Sequence, residues 1–255
     1  MAGFDPKKQL VRWLKGSGRP ALNRVLARYS EVGDPIVFDN ALFPWTRRLE
    51  QEHEAIREEA LRLLELREHL PGFHEVSPYQ SRISDADMWK TVWLYGFGYR
   101  SEIVSRLCPV TARVIDEVPE LKSALFSMLG PGKHIPPHRG VYKGLINYHL
   151  GLINPDDPAK AHMRVGTEHF FWETGKSVVF DDTNEHEVWN ESDQERVVLF
   201  LQFHRPMRFP GRQLSELFLR ALALTPYLKV PLANAKVWEE QLRVAALERG
   251  LLPAS

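Results

Sequence analysis

Apolar and polar residues alternate through the aromatic-rich run WKTVWLYGFG at 89–98. A period of two places successive side chains on opposite faces, so this run predicts a strand. Strand-like runs then follow one another at 122–129, 144–153, 162–173, 177–181, 186–190 and 196–204. Turn residues divide them, among them Gly130-Pro131-Gly132, Asn154-Pro155-Asp156-Asp157 and Gly166-Thr167.

The flanks carry a different period. Between Thr46 and His69 the residues Leu49, Ile56, Ala60, Leu61, Leu64 and Leu66 recur near helical spacing among many Glu and Arg, and Pro71-Gly72 ends the run. That is the pattern of an amphipathic helix. Further helices are expected at 6–15 and 20–30, divided by GSGRP, then at 111–118, and after Pro206 at 211–224 and 232–248. VGDPIVF at 32–38 reads as a turn and a short strand. Many short strands at even spacing predict an antiparallel sandwich or barrel, and a jelly roll suits a site built from neighbouring strands. The chain therefore divides into a helical region at 1–75 packed on the core, a mainly β domain at 76–206 and a helical extension at 207–255.

Composition changes this picture little. With 255 residues, 44% hydrophobic and 26% charged, the chain is an ordinary globular one able to bury a good core. A formal net charge of zero offers no sign of a nucleic-acid partner. The single Cys108 excludes an internal disulfide framework and a cysteine zinc site, and fits a reducing, cytoplasmic compartment. No apolar run is long enough to span a bilayer, and no signal-peptide core is present. The first thirty residues are locally basic (Lys7, Lys8, Arg12, Lys15, Arg19, Arg24, Arg28) around Leu10, Val11, Trp13 and Leu14. The preferred reading is the solvated face of a docked helix; peripheral contact with a membrane surface is the alternative.

The chemistry concentrates between 127 and 196. His138 in PPHRG and His186 in NEHEVW each stand at the edge of a strand-like run, and Arg196 opens RVVLFLQF. Two imidazoles with a cation on a neighbouring strand are the layout of a non-haem Fe(II) centre served by 2-oxoglutarate. The usual facial triad adds a carboxylate two residues after the first histidine; here that position is Gly140. A buried guanidinium at 196 requires a partner, and a carboxylate is the natural one. Ser127 could donate to the same group. Asp182, four residues before His186, is either a turn aspartate or an acid that orients metal-bound water from outside the ligand set. His149 in NYHLGL either contacts a co-substrate or is satisfied within its sheet. No Walker motif, dinucleotide fingerprint, GxSxG elbow or Cys-x-x-Cys is present.

HIPPHRG, NYHLGL, WETGKSVVFDDTNEHEVWN and ERVVLF, in this order, closely resemble the aspartyl/asparaginyl β-hydroxylase family. The likeness runs from about Trp89 to Pro206 and more weakly upstream through FPW at 43–45. It implies a double-stranded β-helix, a cupin-like jelly roll flanked by helices, that uses Fe(II), 2-oxoglutarate and O2. By the same resemblance His138 and His186 correspond to the metal ligands, Asp182 to the aspartate outside the ligand set, and Trp89, Ser127, His149 and Arg196 to co-substrate contacts. Gly140 falls where the family itself lacks the third carboxylate, so a carboxylate introduced there is expected to be accommodated beside the metal. Asn147 departs from the arginine that many members carry, with Lys143 and Arg164 as conceivable replacements for the missing charge.

The expected activity is hydroxylation of an unactivated C–H bond on a small-molecule, peptide or lipid substrate. The β-carbon of an aspartyl or asparaginyl residue comes first. A lipid acyl chain is the alternative, followed by halogenation at the vacancy beside Gly140 and by a non-catalytic jelly-roll binding role.

Overall fold

A computed structural model describes residues 18–84 and 87–253. The helix expected at 6–15 lies outside the described residues, as does the basic stretch up to Lys15.

The strands in chain order are β1 (Val37–Phe38), β2 (Trp89–Gly96), β3 (Tyr99–Arg100), β4 (Leu121–Leu129), β5 (His134–His138), β6 (Leu145–Ile153), β7 (Ala161–Val165), β8 (Glu168–Phe171), β9 (Ser177–Phe180), β10 (His186–Asn190) and β11 (Arg196–His204). They pair antiparallel in two sheets, a seven-stranded one in the order β1-β9-β6-β11-β4-β2-β3 and a four-stranded one in the order β5-β10-β7-β8. Two antiparallel sheets facing each other make the double-stranded β-helix, mainly β with flanking α. The main helices are α1 (Gly18–Tyr29), α2 (Thr46–Gln51), α3 (His53–Leu64), α4 (Phe73–Val76), α5 (Glu102–Leu107), α6 (Pro109–Ile115), α7 (Gly211–Ala223) and α8 (Pro226–Glu248). Among the described residues, no helix is long and apolar enough to cross a membrane.

Residue parity sorts the two faces of the larger sheet. On β11, Val197, Leu199, Leu201 and Phe203 join the helix-covered core with Ile56, Leu63 and Leu242, while Arg196, Phe200 and Gln202 face a cavity between the sheets. The same split separates Phe126 and Met128 from Leu125 and Ser127 on β4, and Tyr148 and Leu150 from Asn147 and His149 on β6. A pleated strand can do nothing else, because its side chains alternate. The inter-sheet core is smaller, built from Leu129, Ile135, Met163, Val165, Trp172, Phe180, Val188 and Val198. The space beyond it is what remains for function.

Several elements differ from the sequence expectation, and α4, α5 and β3 have no counterpart in it. The helix expected at 46–69 breaks at Glu52, where φ is −92° and ψ 7°, and finishes as a 3-10 turn at Arg67–His69. The run 162–173 is a hairpin, β7 and β8, turned at Gly166 with φ +58°. α8 begins at Pro226 and runs through Pro231, whose buried ring lines the cavity instead of ending the helix. HIPPH forms β5 despite two prolines, because β5 is an edge strand with one open side where a missing N–H costs nothing.

Candidate active site

β5 and β10 are neighbours, and their register sets His138 directly opposite His186. Directly opposed residues share a face, so the two rings meet with centroids 4.0 Å apart and planes 55° apart. The Nδ1 of His138 donates to the Pro136 carbonyl at 2.8 Å, and that of His186 to the Asn184 carbonyl at 3.0 Å. A carbonyl only accepts, so each Nδ1 carries the proton and each Nε2 keeps a free lone pair. Burial holds both imidazoles below their usual range, His186 down to about 3 through burial first and His138 second. The pair is therefore neutral at physiological pH and needs no deprotonation to bind a divalent metal.

Beside this pair, Gly140 and Asp182 are locked together. The Gly140 amide donates to the Asp182 carbonyl at 2.7 Å. A Cβ at Gly140 would stand 2.2 Å from Asp182 Oδ1 and 2.3 Å from its Cγ. The half-buried Asp182 carboxyl thus fills the space that a side chain at 140 would take. Burial and then the adjacent Asp181 push its acid up to about 7, while a hydrogen bond from Asn147 acts the other way. Asn147 also accepts from Gln202 Nε2 at 3.0 Å, and Gln202 accepts from Ser123 Oγ at 3.2 Å. β6 and β11 place these residues opposite one another. Three neutral side chains in series thereby aim the Asp182 carboxyl.

This corrects the expectation that a carboxylate at 140 is accommodated. Gly140→Asp is expected to lose at least about 1–3 kcal/mol of stability, the usual range for overpacking, with two acids then competing for one space. Thermal melting and anaerobic metal titration measure both effects. The double variant Gly140→Asp with Asp182→Gly should recover the melt. A single variant that melts and binds metal like the wild type would mean that Asp182 does not fill this space.

Facing the histidines across the cavity, Arg196 is fully buried with an incomplete set of partners. Its Nη1 reaches the Ser127 carbonyl at 3.4 Å, its guanidinium lies 4.5 Å from the Trp172 ring centre, and its Nε has no partner. Burial lowers its pKa to about 9, which leaves it charged at neutral pH. His149, opposite Phe200 on β11, is buried among Phe180, Phe200 and Trp172 with neither ring nitrogen bonded, and burial first, then Arg196, holds it well below its usual range. Trp172 Nε1 is unpartnered as well. Ser127 Oγ accepts from Trp89 Nε1 at 3.0 Å, and Trp89 stacks on Phe73 at 4.0 Å. Orphaned buried groups are costly, and a cation with several of them around it is what a small bound carboxylate would satisfy.

One cavity of about 410 Å³ connects these groups. All seven residues singled out from the sequence line it: Trp89, Ser127, His138, His149, Asp182, His186 and Arg196. Its far limb is apolar, built by Phe97, Val141 and Leu145 and by Leu219, Leu222 and Leu228 of the C-terminal helices. Sequence reasoning missed this limb, and also missed Gln202 and Trp172. Gln202 had one legible signal, a polar residue in phase with Arg196 and Phe200 on an otherwise apolar strand. Neither replacement for the missing charge at 147 enters the cavity. Lys143 pairs with Asp34 and Asp181, and Arg164 with Glu187 and Glu185.

Among the described residues, His74, Glu75 and Asp87 are the one group of three or more potential ligands whose donor atoms all lie within 4.8 Å of one another. Its acids are already engaged, Glu75 with the Gly72 amide at 2.7 Å and Asp87 with Lys90 at 3.4 Å. Asp182 does not form such a group with His138 and His186, so the three donor atoms do not all lie within 4.8 Å of one another.

The family model described as aspartyl/asparaginyl beta-hydroxylase matches residues 50–206. The ornithine lipid ester-linked acyl 2-hydroxylase of Rhizobium tropici is 40% identical over 219 residues, covering 86% of this chain and 78% of that protein. Those 219 residues exceed the family match plus either flank alone, so the likeness runs past Pro206 into α7. The human aspartyl/asparaginyl beta-hydroxylase is 28% identical over 174 residues, covering 66% of this chain but 22% of its own length. Among solved structures, a Cupin_2 domain from Enterobacter cloacae aligns at a TM-score of 0.33 and 16% identity, over 47% of this chain and 98% of that one.

Proposed function

The chain belongs to the aspartyl/asparaginyl β-hydroxylase family, and from that premise we propose that it is an Fe(II)- and 2-oxoglutarate-dependent hydroxylase of an ester-linked lipid acyl chain. The observation that carries the substrate class is the apolar lining that Leu219, Leu222 and Leu228 give to the cavity that also holds the His138–His186 pair. An acyl chain buries apolar surface along such a wall at roughly 0.8 kcal/mol per methylene. The likeness to the Rhizobium tropici lipid hydroxylase extends into the helix that forms that wall. It also favours attack at the 2-position of the chain. This places the acyl chain ahead of the aspartyl or asparaginyl side chain that the family resemblance puts first.

His138 and His186 would hold the metal through their free Nε2 lone pairs, with Asp182 orienting a water on it from the space beside Gly140. Arg196 would clamp the distal carboxylate of 2-oxoglutarate, with Ser127 Oγ donating and Trp89 holding that hydroxyl in place. The orphaned nitrogens of Arg196 and His149 support this fit. Bound together, the metal and 2-oxoglutarate supply the oxidising power to insert one atom of O2 into a C–H bond, releasing succinate and CO2. The protein contributes alignment: the larger sheet fixes the co-substrate, the smaller sheet the metal, and α7 and α8 the acyl chain. Halogenation is disfavoured, because the vacancy that Gly140 would offer a halide is filled by the Asp182 carboxyl.

The test is incubation of the protein with Fe(II), 2-oxoglutarate and either an ornithine lipid or an aspartyl peptide in separate reactions. The expected result is a lipid product heavier by one oxygen, with matching succinate release. Hydroxylated peptide with unchanged lipid would overturn the substrate assignment, and succinate from neither would overturn the activity.

A further inference from the structure

α7 carries apolar side chains on two sides. Leu219 and Leu222 face inward and line the cavity. Outward, Leu217 and Leu224 are 69% and 63% exposed, Leu214 39%, and Phe209, just before the helix, 77%. Single exposed apolar residues need no explanation, but four gathered on one helix and its approach form a patch. α1 extends it. Gly211 sits so close to α1 that a Cβ there would lie 2.2 Å from Tyr29 Cβ, and Leu26 shares a buried cluster with Leu219. The exposed stripe of α1 is Ala21, Arg24, Val25 and Arg28.

The charge on this side is mainly positive. Residues 18–30 and 207–224 together hold six arginines (19, 24, 28, 208, 212, 220) and one acid, Glu216. That acid is paired with Arg212 at 3.1 Å, and Arg212 also meets Glu120 at 2.8 Å, which leaves the other five arginines as the positive rim. The whole chain has a formal net charge of zero, so this surface is positive at the expense of the rest. The sequence before Gly18 adds Lys7, Lys8, Arg12 and Lys15 against Asp5.

We propose that the outer face of α7, flanked by α1, docks the protein on an anionic lipid bilayer. Exposed leucines and a phenylalanine ringed by arginines match the headgroup–acyl boundary, where apolar side chains enter and cations meet anionic lipid. The proposal rests on the acyl-lipid reading and adds the route. α7 becomes a partition, with the bilayer on one side and the cavity on the other. An acyl chain leaving the bilayer at α7 enters the apolar limb without crossing water.

The experiment is cosedimentation of the full chain with phosphatidylcholine vesicles, with and without phosphatidylglycerol, at low and high salt. The wild type is expected to bind the anionic vesicles and to lose binding as salt rises. Phe209→Ser/Leu217→Ser/Leu224→Ser is expected to bind at least about tenfold more weakly, since it removes the inserted apolar surface. None of these three residues lines the cavity, so turnover of detergent-dispersed lipid should be unchanged while turnover of vesicle lipid falls with binding. Arg24→Gln/Arg28→Gln/Arg220→Gln should show the same split and a flatter salt dependence. Absent wild-type binding, unchanged binding by the serine variant, or a dimer in the wild type that the serine variant dissolves would each overturn the proposal. Failure of the acyl-lipid reading shows elsewhere, as no lipid product from the wild type even in detergent.

Discussion

His138→Ala and His186→Ala are each expected to abolish turnover and to weaken metal binding more than about a hundredfold. Four-ligand zinc sites bind with roughly 10–16 kcal/mol, which puts one protein ligand near 3 kcal/mol, or more than two decades in affinity. The loss is harsher here because the opposed pair supplies two imidazoles, with Gly140 where a third ligand would stand and the Asp182 carboxyl in the space beside it. Each ring is also pre-aligned by its Nδ1 bond to a backbone carbonyl, so a replacement donor on a flexible side chain would not recover the geometry. Anaerobic titration with Fe(II), followed by succinate assay, measures both quantities. Circular dichroism establishes that the variants fold. A folded variant that binds metal within about tenfold of the wild type would remove that histidine from the metal site.

Arg196→Met is expected to separate function from stability. The guanidinium is buried against Trp172 with an unpartnered Nε, so the ligand-free protein carries an uncompensated charge. Losing a buried charge-assisted contact costs about 2–5 kcal/mol, so the KM for 2-oxoglutarate should rise by roughly 30- to 5000-fold. The ligand-free melting temperature should stay level or rise, because methionine packs on the indole without the desolvation penalty. The wild type should gain melting temperature on adding 2-oxoglutarate, by linkage, and the variant should not. An unchanged KM would assign Arg196 to the fold. A large drop in ligand-free stability would show that its charge is compensated within the protein.

Much of the fold was legible along the chain because its causes are local. Alternation on the strands predicts which residues share a face, and that parity alone puts Arg196, Phe200 and Gln202 together and Val197, Leu199 and Leu201 behind them. His138 and His186 stand out because each begins or ends a strand-like run, and antiparallel register then sets them opposite one another. Turn chemistry is readable where glycine supplies it: Gly166-Thr167 reads as a turn, and the φ of +58° at Gly166 makes it the corner that splits 162–173 into β7 and β8.

Other features exist only in three dimensions. Gly140 reads as a vacancy in the sequence; that the vacancy holds Asp182 depends on the turn before β10 folding over the end of β5. Asn147 reads as a lost charge, and becomes a support for Asp182 only because β11 brings Gln202 beside it. The leucines of α7 announce a helix with apolar residues on more than one side, but periodicity cannot say which side closes a cavity and which meets solvent. Packing decided that, by burying Leu219 and Leu222 over the strand mouth and leaving Leu217 and Leu224 outside. Side-chain period is a property of the backbone and can be read from one chain; adjacency between distant segments depends on how elements pack, and no local pattern encodes it.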